Sequence, residues 1–110
     1  ENVGNAGRAF GIGSGNVVIE DGSVVKGFAH GITVRGPNTT ITIRASTFTG
    51  NTMTGIAMEY GYSGAAVVTA TDSTFDANGV AVIQGVGTGL DLRLENTRII
   101  NQTQTGISLY

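Results

Sequence analysis

Ile41–Met58 reads I-T-I-R-A-S-T-F-T-G-N-T-M-T-G-I-A-M: two short apolar strands separated by polar turn residues. Apolar and polar residues alternating over so few positions describe half-buried strands, and no window sustains a 3.6-residue period. The pattern repeats outward in both directions. A glycine followed by a strand-like triplet occurs at Gly7, Gly31, Gly55 and Gly79, at steps of 24 residues, and again at Gly106 after 27. Self-similarity at this period, with turn glycines between short strands, is the signature of a solenoid. One coil cannot bury its own apolar face; stacked on its neighbours, it can. The expected fold is therefore all-β: a parallel β-helix of about four to five coils of 24–27 residues, filling residues 1–110 as one domain. With coils about 4.8 Å apart, the prism would stand about 20 Å tall.

Alignment of the coils predicts the interior. Ile43/Phe48, Ala70/Phe75 and Leu94/Ile99 are inward pairs with the same spacing. The same offset gives Ile19/Val24, with Gly22 able to move the partner to Val25. The core is expected to hold Ile43, Phe48, Ile56, Phe75, Leu92, Leu94, Ile99 and Ile107. Hydroxyls align at Ser23, Ser46, Ser73 and Thr97, and amides, to within one position, at Asn51, Asn78 and Asn101. A buried amide can bond its equivalent one coil away, which makes polar stacks economical. A first strand is expected over Arg8–Ile12 and a last over Ile107–Leu109. Turns are expected at Gly36-Pro37-Asn38, Gly61–Gly64 and Gly85–Gly89.

Composition narrows the class. A chain that is 40% hydrophobic and 13% charged is too apolar and too lightly charged for disorder. Its net charge is −2, and no Lys/Arg cluster interrupts it, which argues against nucleic acid and anionic membrane surfaces as partners. With no cysteine, neither a disulfide nor a thiolate zinc site can form. No apolar run approaches the roughly 20 residues that span a bilayer, so membrane insertion is not expected. The sequence starts at Glu1 with no methionine and no signal peptide, which points to a processed product or an excised piece. An extracellular or cell-surface setting is expected.

Two segments carry a family resemblance. Val17–Val34 (V-V-I-E-D-G-S-V-V-K-G-F-A-H-G-I-T-V) and Leu92–Leu109 (L-R-L-E-N-T-R-I-I-N-Q-T-Q-T-G-I-S-L) resemble right-handed parallel β-helix repeats of the pectate-lyase-like superfamily. The resemblance runs from about Gly7 to Tyr110 and implies the fold far more than a function. That superfamily includes polysaccharide lyases, hydrolases, epimerases, phage tailspikes and non-enzymatic surface proteins. Its members are often capped by a helix at the N-terminal end, and this sequence shows no such cap.

Enzymes of that kind act on acidic sugars with clustered carboxylates, either beside calcium and a basic residue or as a set of aspartates. Here Glu20, Arg44, Thr71 and Glu95 fall in one column, and Asp21, Ala45, Asp72 and Asn96 in the next. A glycosidic carboxylate pair needs a separation of roughly 5–9.5 Å, which Glu20, Asp21 and Asp72 satisfy by position. Arg44 adjoins Glu20, however, and an exposed ion pair accounts for both. Asp72–Gly79 is spaced too loosely for a calcium loop, and Phe75 within it belongs to the core. The runs G-I-G-S-G at Gly11–Gly15 and G-V-G-T-G at Gly85–Gly89 open no helix, so they read as turns and not as phosphate loops. His30 is the lone histidine and reads as a turn or surface residue. Thr40 and Thr42 suggest a threonine array whose counterparts one coil on are apolar or off register. Tyr60 and Tyr62 flank Gly61 and offer rings for stacking on a sugar. They form the best binding feature in the sequence, with Asp72 and Glu20 as weaker ligand-binding candidates. No catalytic residue, metal ligand or cofactor is assigned.

Three functions remain open: a non-catalytic structural or adhesive solenoid that self-associates, a carbohydrate-binding or polysaccharide-active segment, and a trimeric phage or surface fibre. The first is favoured by the terminal strands. Arg8 is the only charge guarding the first, and the last has neither charge nor proline to guard its edge. Homo-oligomers joined through end coils are therefore expected, giving open filaments. Ser108→Pro is expected to suppress them by removing a ladder donor.

Overall fold

The computed structural model describes residues 7–36, 38–58, 65–83 and 89–108. Strands follow one another along these residues with no helix among them, in three parallel sheets. Sheet I stacks β1 (Arg8–Ile12), β4 (His30–Val34), β7 (Thr54–Met58), β10 (Val80–Ile83) and β13 (Ile107–Ser108). Sheet II stacks β2 (Gly15–Ile19), β5 (Thr39–Arg44), β8 (Ala65–Thr71) and β11 (Gly89–Glu95). Sheet III stacks β3 (Val24–Lys26), β6 (Thr47–Thr49), β9 (Thr74–Asp76) and β12 (Arg98–Ile100). The chain visits sheets II, III and I in turn, and each strand pairs in parallel with the equivalent strand one coil away. The result is a β-solenoid of about four turns.

Each coil bends twice through a left-handed residue. Between sheets II and III it is Asp21, Ala45, Asp72 or Asn96, with φ between 46° and 59°. After sheet III it is Gly27, Gly50, Ala77 or Asn101. Glycine, asparagine and aspartate adopt this conformation most readily, which explains why small and Asx residues occupy both columns.

The interior consists of stacked columns. Ile19, Ile43, Ala70 and Leu94 form one in sheet II, and Val25, Phe48, Phe75 and Ile99 form another in sheet III. Phe10, Ile32, Ile56, Val82 and Ile107 line sheet I. Phe48 and Phe75 stack with centroids 5.0 Å apart and rings 10° from parallel. Those rings explain the neighbouring glycines. A Cβ on Gly55 would lie 3.2 Å from Phe75 Cδ2 and 2.7 Å from the Ala81 carbonyl oxygen.

Polar columns line the bends. Ser46 and Ser73 each donate to a backbone carbonyl two residues earlier, and the Ser46 amide donates to Ser73 Oγ at 3.2 Å. Ser23 and Thr97 end this column as the sequence predicts. Asn51 and Asn78 are fully buried. The Asn51 side chain accepts from the Phe28 amide at 3.1 Å and donates to Asn78 Oδ1 at 2.8 Å. Asn78 in turn accepts from Asn51 and donates to the Phe48 carbonyl at 3.0 Å.

Several expectations need correction. Val25 and not Val24 points inward (6% against 56% exposed), because Asp21 and Gly22 both take positive φ and lengthen the bend by one residue. Gly31, Gly55 and Gly106 do share a column, but Ala9 and Ala81 fill the places expected for Gly7 and Gly79. The amide column ends on Gln102, whose side-chain oxygen accepts from the Asn78 amide; Asn101 is the left-handed residue beside it. Thr42 pairs with Thr69 and not with an apolar residue, although Val18 and Arg93 bound that array at two threonines. Burial is least complete in the last coil. Leu94 is 39% exposed, and Leu92, Ile99 and Ile107 are half-buried, because the last coil has a neighbour on one side only.

Candidate functional site

Tyr60 and Tyr62 lie outside the described residues. So do residues 61–64 and 85–88 of the two glycine turns. Glu20 and Asp72 are described, and each is engaged by the adjacent coil. Glu20 follows β2 and meets Arg44 of the next coil, Oε2 to Nη1 at 3.1 Å, with both side chains exposed. Solvent screening leaves such a pair under about 1 kcal/mol. Asp72 is the left-handed residue of its bend, and its Oδ1 accepts from Asn96 Nδ2 at 2.5 Å. Asp76 receives Asn101 Nδ2 in the same manner at 3.0 Å.

Asp91 is clamped within its own strand by Arg93, whose Nε reaches both carboxylate oxygens at 3.1 Å. That hydrogen bonding holds the Asp91 carboxyl below its ordinary value, against a smaller desolvation effect. These four acids serve as acceptors that shape bends and strands. Among the described residues, no group of three or more histidine, aspartate or glutamate side chains could hold a metal ion. His30 opens β4, and its Nδ1 lies 2.8 Å from Thr54 Oγ1 in the coil beyond.

Two further features remain: a groove that the sequence does not single out, and the terminal coils that it does. One is a groove of about 390 Å³ lined by Arg8, Gly11, Gly13 and Arg35. Arg35 follows β4 and donates its amide to the Ile12 carbonyl at 2.8 Å, which sets it beside the end of β1. A Cβ on Gly11 would lie 3.3 Å from Arg8 Cδ and 3.9 Å from Arg35 Cδ. Glycine at that position lets both stems cross the backbone and set two guanidiniums along one groove. Such forked donors suit carboxylate or sulfate oxygens. The signal present in the sequence was the G-I-G run at Gly11–Gly13, three residues after Arg8.

The other feature is the pair of terminal coils. At the N-terminal face a hollow of about 250 Å³ opens between Ala9, Phe10, Val24, Val25 and Phe28. Phe10 heads an interior column yet is 44% exposed, while Ile32, Ile56 and Val82 below it are fully buried. Leu94 at the opposite face stands in the same relation to the fully buried Ile43 and Ala70. Both faces present apolar interior residues and an unpaired edge in each sheet of the described structure. Comparison with protein-family models, curated proteins and solved structures returns no match in any of the three.

Proposed function

We propose that the chain is a non-catalytic structural or adhesive module, a right-handed solenoid of the pectate-lyase-like kind that self-associates end to end in an extracellular or cell-surface setting. The observation that carries this reading is the contrast along single columns: residues wholly buried in the middle coils are 44% exposed at Phe10 and 39% at Leu94. Burying the two fifths of each side chain that remains exposed would add about 1 kcal/mol each, and a second copy supplies an apolar face of matching pitch. Right-handedness is supported by the strong preference of parallel crossover connections for that hand. The outward columns holding Val18 and Val24 continue as Thr42, Thr69 and Arg93, and as Thr47, Thr74 and Arg98, so neither offers the apolar stripe a lateral trimer would use.

Light scattering over a concentration series tests the proposal, with negative-stain microscopy at the highest concentration. Mass should grow with concentration, and Phe10→Asp should shift the series to higher concentration at least tenfold. A chain that remains monomeric at millimolar concentration overturns it.

A further inference from the structure

Asparagine occupies two kinds of place in this fold. Asn51 and Asn78 are fully buried, and their side chains tie neighbouring coils together. Asn38 and Asn101 are exposed, and each stands in a left-handed bend with φ of 56°. The sequence divides these four in the same way. Asn38-Thr39-Thr40 and Asn101-Gln102-Thr103 place threonine two residues after asparagine with no proline between, the acceptor pattern for an N-linked oligosaccharide. Asn51 and Asn78 are followed at that position by Met53 and Val80. Neither buried asparagine carries the pattern, so no glycan would have to be housed inside the solenoid.

The two exposed sites differ in what the amide already does. Asn101 Nδ2 donates to Asp76 Oδ1 at 3.0 Å and helps to hold its bend. Asn38 is held through its backbone, whose carbonyl accepts from the Gly15 amide at 3.3 Å. Its side-chain amide enters no hydrogen bond among the described residues. The bend is also open on the side of the preceding coil. A Cβ on Gly13 or Gly15 would meet nothing within 4 Å, and Ser14 between them is exposed. Thr40, the third residue of the pattern, alternates with the buried Thr39 and Ile41 and so faces outward from sheet II.

We propose that Asn38 is an acceptor for an N-linked oligosaccharide. This rests on the extracellular or cell-surface setting proposed above and adds a modification to it. The donor is an oligosaccharide carried on a lipid diphosphate. Asn38 Nδ2 attacks its anomeric carbon, a C–N bond forms, and the anomeric C–O bond breaks. The diphosphate leaves with the electron pair, and one amide proton passes to a base of the transferring enzyme. The product keeps the Asn38 backbone, and with it the left-handed bend that asparagine favours. The strand that follows Asn38 pairs with β2 on one side and β8 on the other, so the glycan would project from the flank of the solenoid. Neither terminal face is covered by it, and end-to-end association stays open.

The test translates the 110-residue chain behind a cleavable export leader into microsomes that hold the lipid-linked donor, beside Thr40→Val, Thr40→Ser and Asn101→Gln. Asn101→Gln should still gain one glycan. In the otherwise unaltered chain, Thr40→Val should lose the glycan at residue 38 and Thr40→Ser should keep it. Peptide N-glycosidase converts a glycan-bearing asparagine to aspartate, and mass spectrometry should find that aspartate at position 38. The glycosylated chain, released with detergent, should resist protease as well as the enzyme-treated chain does. An unmodified Asn38, a glycan on Asn101 alone, or a glycan on Asn38 that leaves the chain open to protease overturns the proposal. Light scattering on the glycan-free chain tests end-to-end association separately, so either reading can fail while the other stands.

Discussion

Asn51→Ala should remove more stability than its size suggests. Asn51 is fully buried, and its side chain joins three coils. Its oxygen accepts from the Phe28 amide at 3.1 Å, and its nitrogen donates to the Val25 carbonyl at 3.2 Å and to Asn78 Oδ1 at 2.8 Å. Alanine deletes all three bonds but not the groups that made them. Asn78 Oδ1 is the least affected, because it still receives the Asn51 amide at 3.2 Å. The Phe28 amide and the Val25 carbonyl each lose a partner, at about 1–3 kcal/mol for each group left unsatisfied. The expected loss is thus about 2–6 kcal/mol, a large share of the roughly 5–15 kcal/mol that holds a small domain together. Asn51→Leu should be no milder, since it restores volume without restoring donor or acceptor. Gln102→Ala should cost less, because Gln102 closes the same column in a half-buried coil. Urea denaturation of the four proteins under conditions that keep them monomeric measures these differences. A loss below about 1 kcal/mol for Asn51→Ala, or equal losses for Asn51→Ala and Gln102→Ala, would refute the idea that the amide column ties the coils together.

Two further predictions concern single groups. Thr33 is 2% exposed, and its hydroxyl has no hydrogen-bond partner, so Thr33→Val should raise stability by about 1 kcal/mol in the same urea assay. The Asp91 carboxyl, held low by Arg93, should titrate below the ordinary value of about 3.9 in a carbon-detected NMR titration and move up toward it in Arg93→Gln. Because its folded value is the depressed one, any stability it contributes is present above the unfolded value and is lost as pH falls through the folded one.

The strands were legible because alternation, turn glycines and hydroxyl columns all report the same coil. Register was legible only where bends keep a constant length. From Ile32 to Ile56 the step is 24 residues, as expected, but Phe10 to Ile32 takes 22 and Ile56 to Val82 takes 26. A reading anchored on glycines therefore slipped by two at Gly7 and Gly79, where alanine meets the need for a small residue. The amide column failed differently at its last member. Residue type pointed to Asn101, whereas the backbone places Gln102 opposite Asn78; asparagine there was chosen for the left-handed bend, and glutamine supplies the same amide. The acids were placed in the right columns, but a column does not say whether a carboxylate faces a ligand or the next coil's asparagine. The Arg8–Arg35 groove was hidden because its two stems come from different columns and meet only over Gly11.

Stability and association draw on different coils, and this separation makes the end-to-end reading tractable. Phe48, Phe75, Asn51 and Asn78 lie in coils with neighbours on both sides, so substituting them changes folding before it changes any contact between copies. Phe10, Leu94, Glu95 and Ser108 lie in coils with one neighbour, where part of each side chain's burial is still to be gained. A side chain already fully buried gains nothing from a partner, whereas one 44% exposed does, so the same kind of substitution should divide cleanly by position. Phe75→Ala, expected to cost about 3–5 kcal/mol of folding stability, should leave the association of the folded fraction unchanged. Phe10→Asp should do the reverse. Were both to weaken folding and association alike, the coils would behave as one cooperative unit, and the exposed columns at the two faces would not be a separate interface.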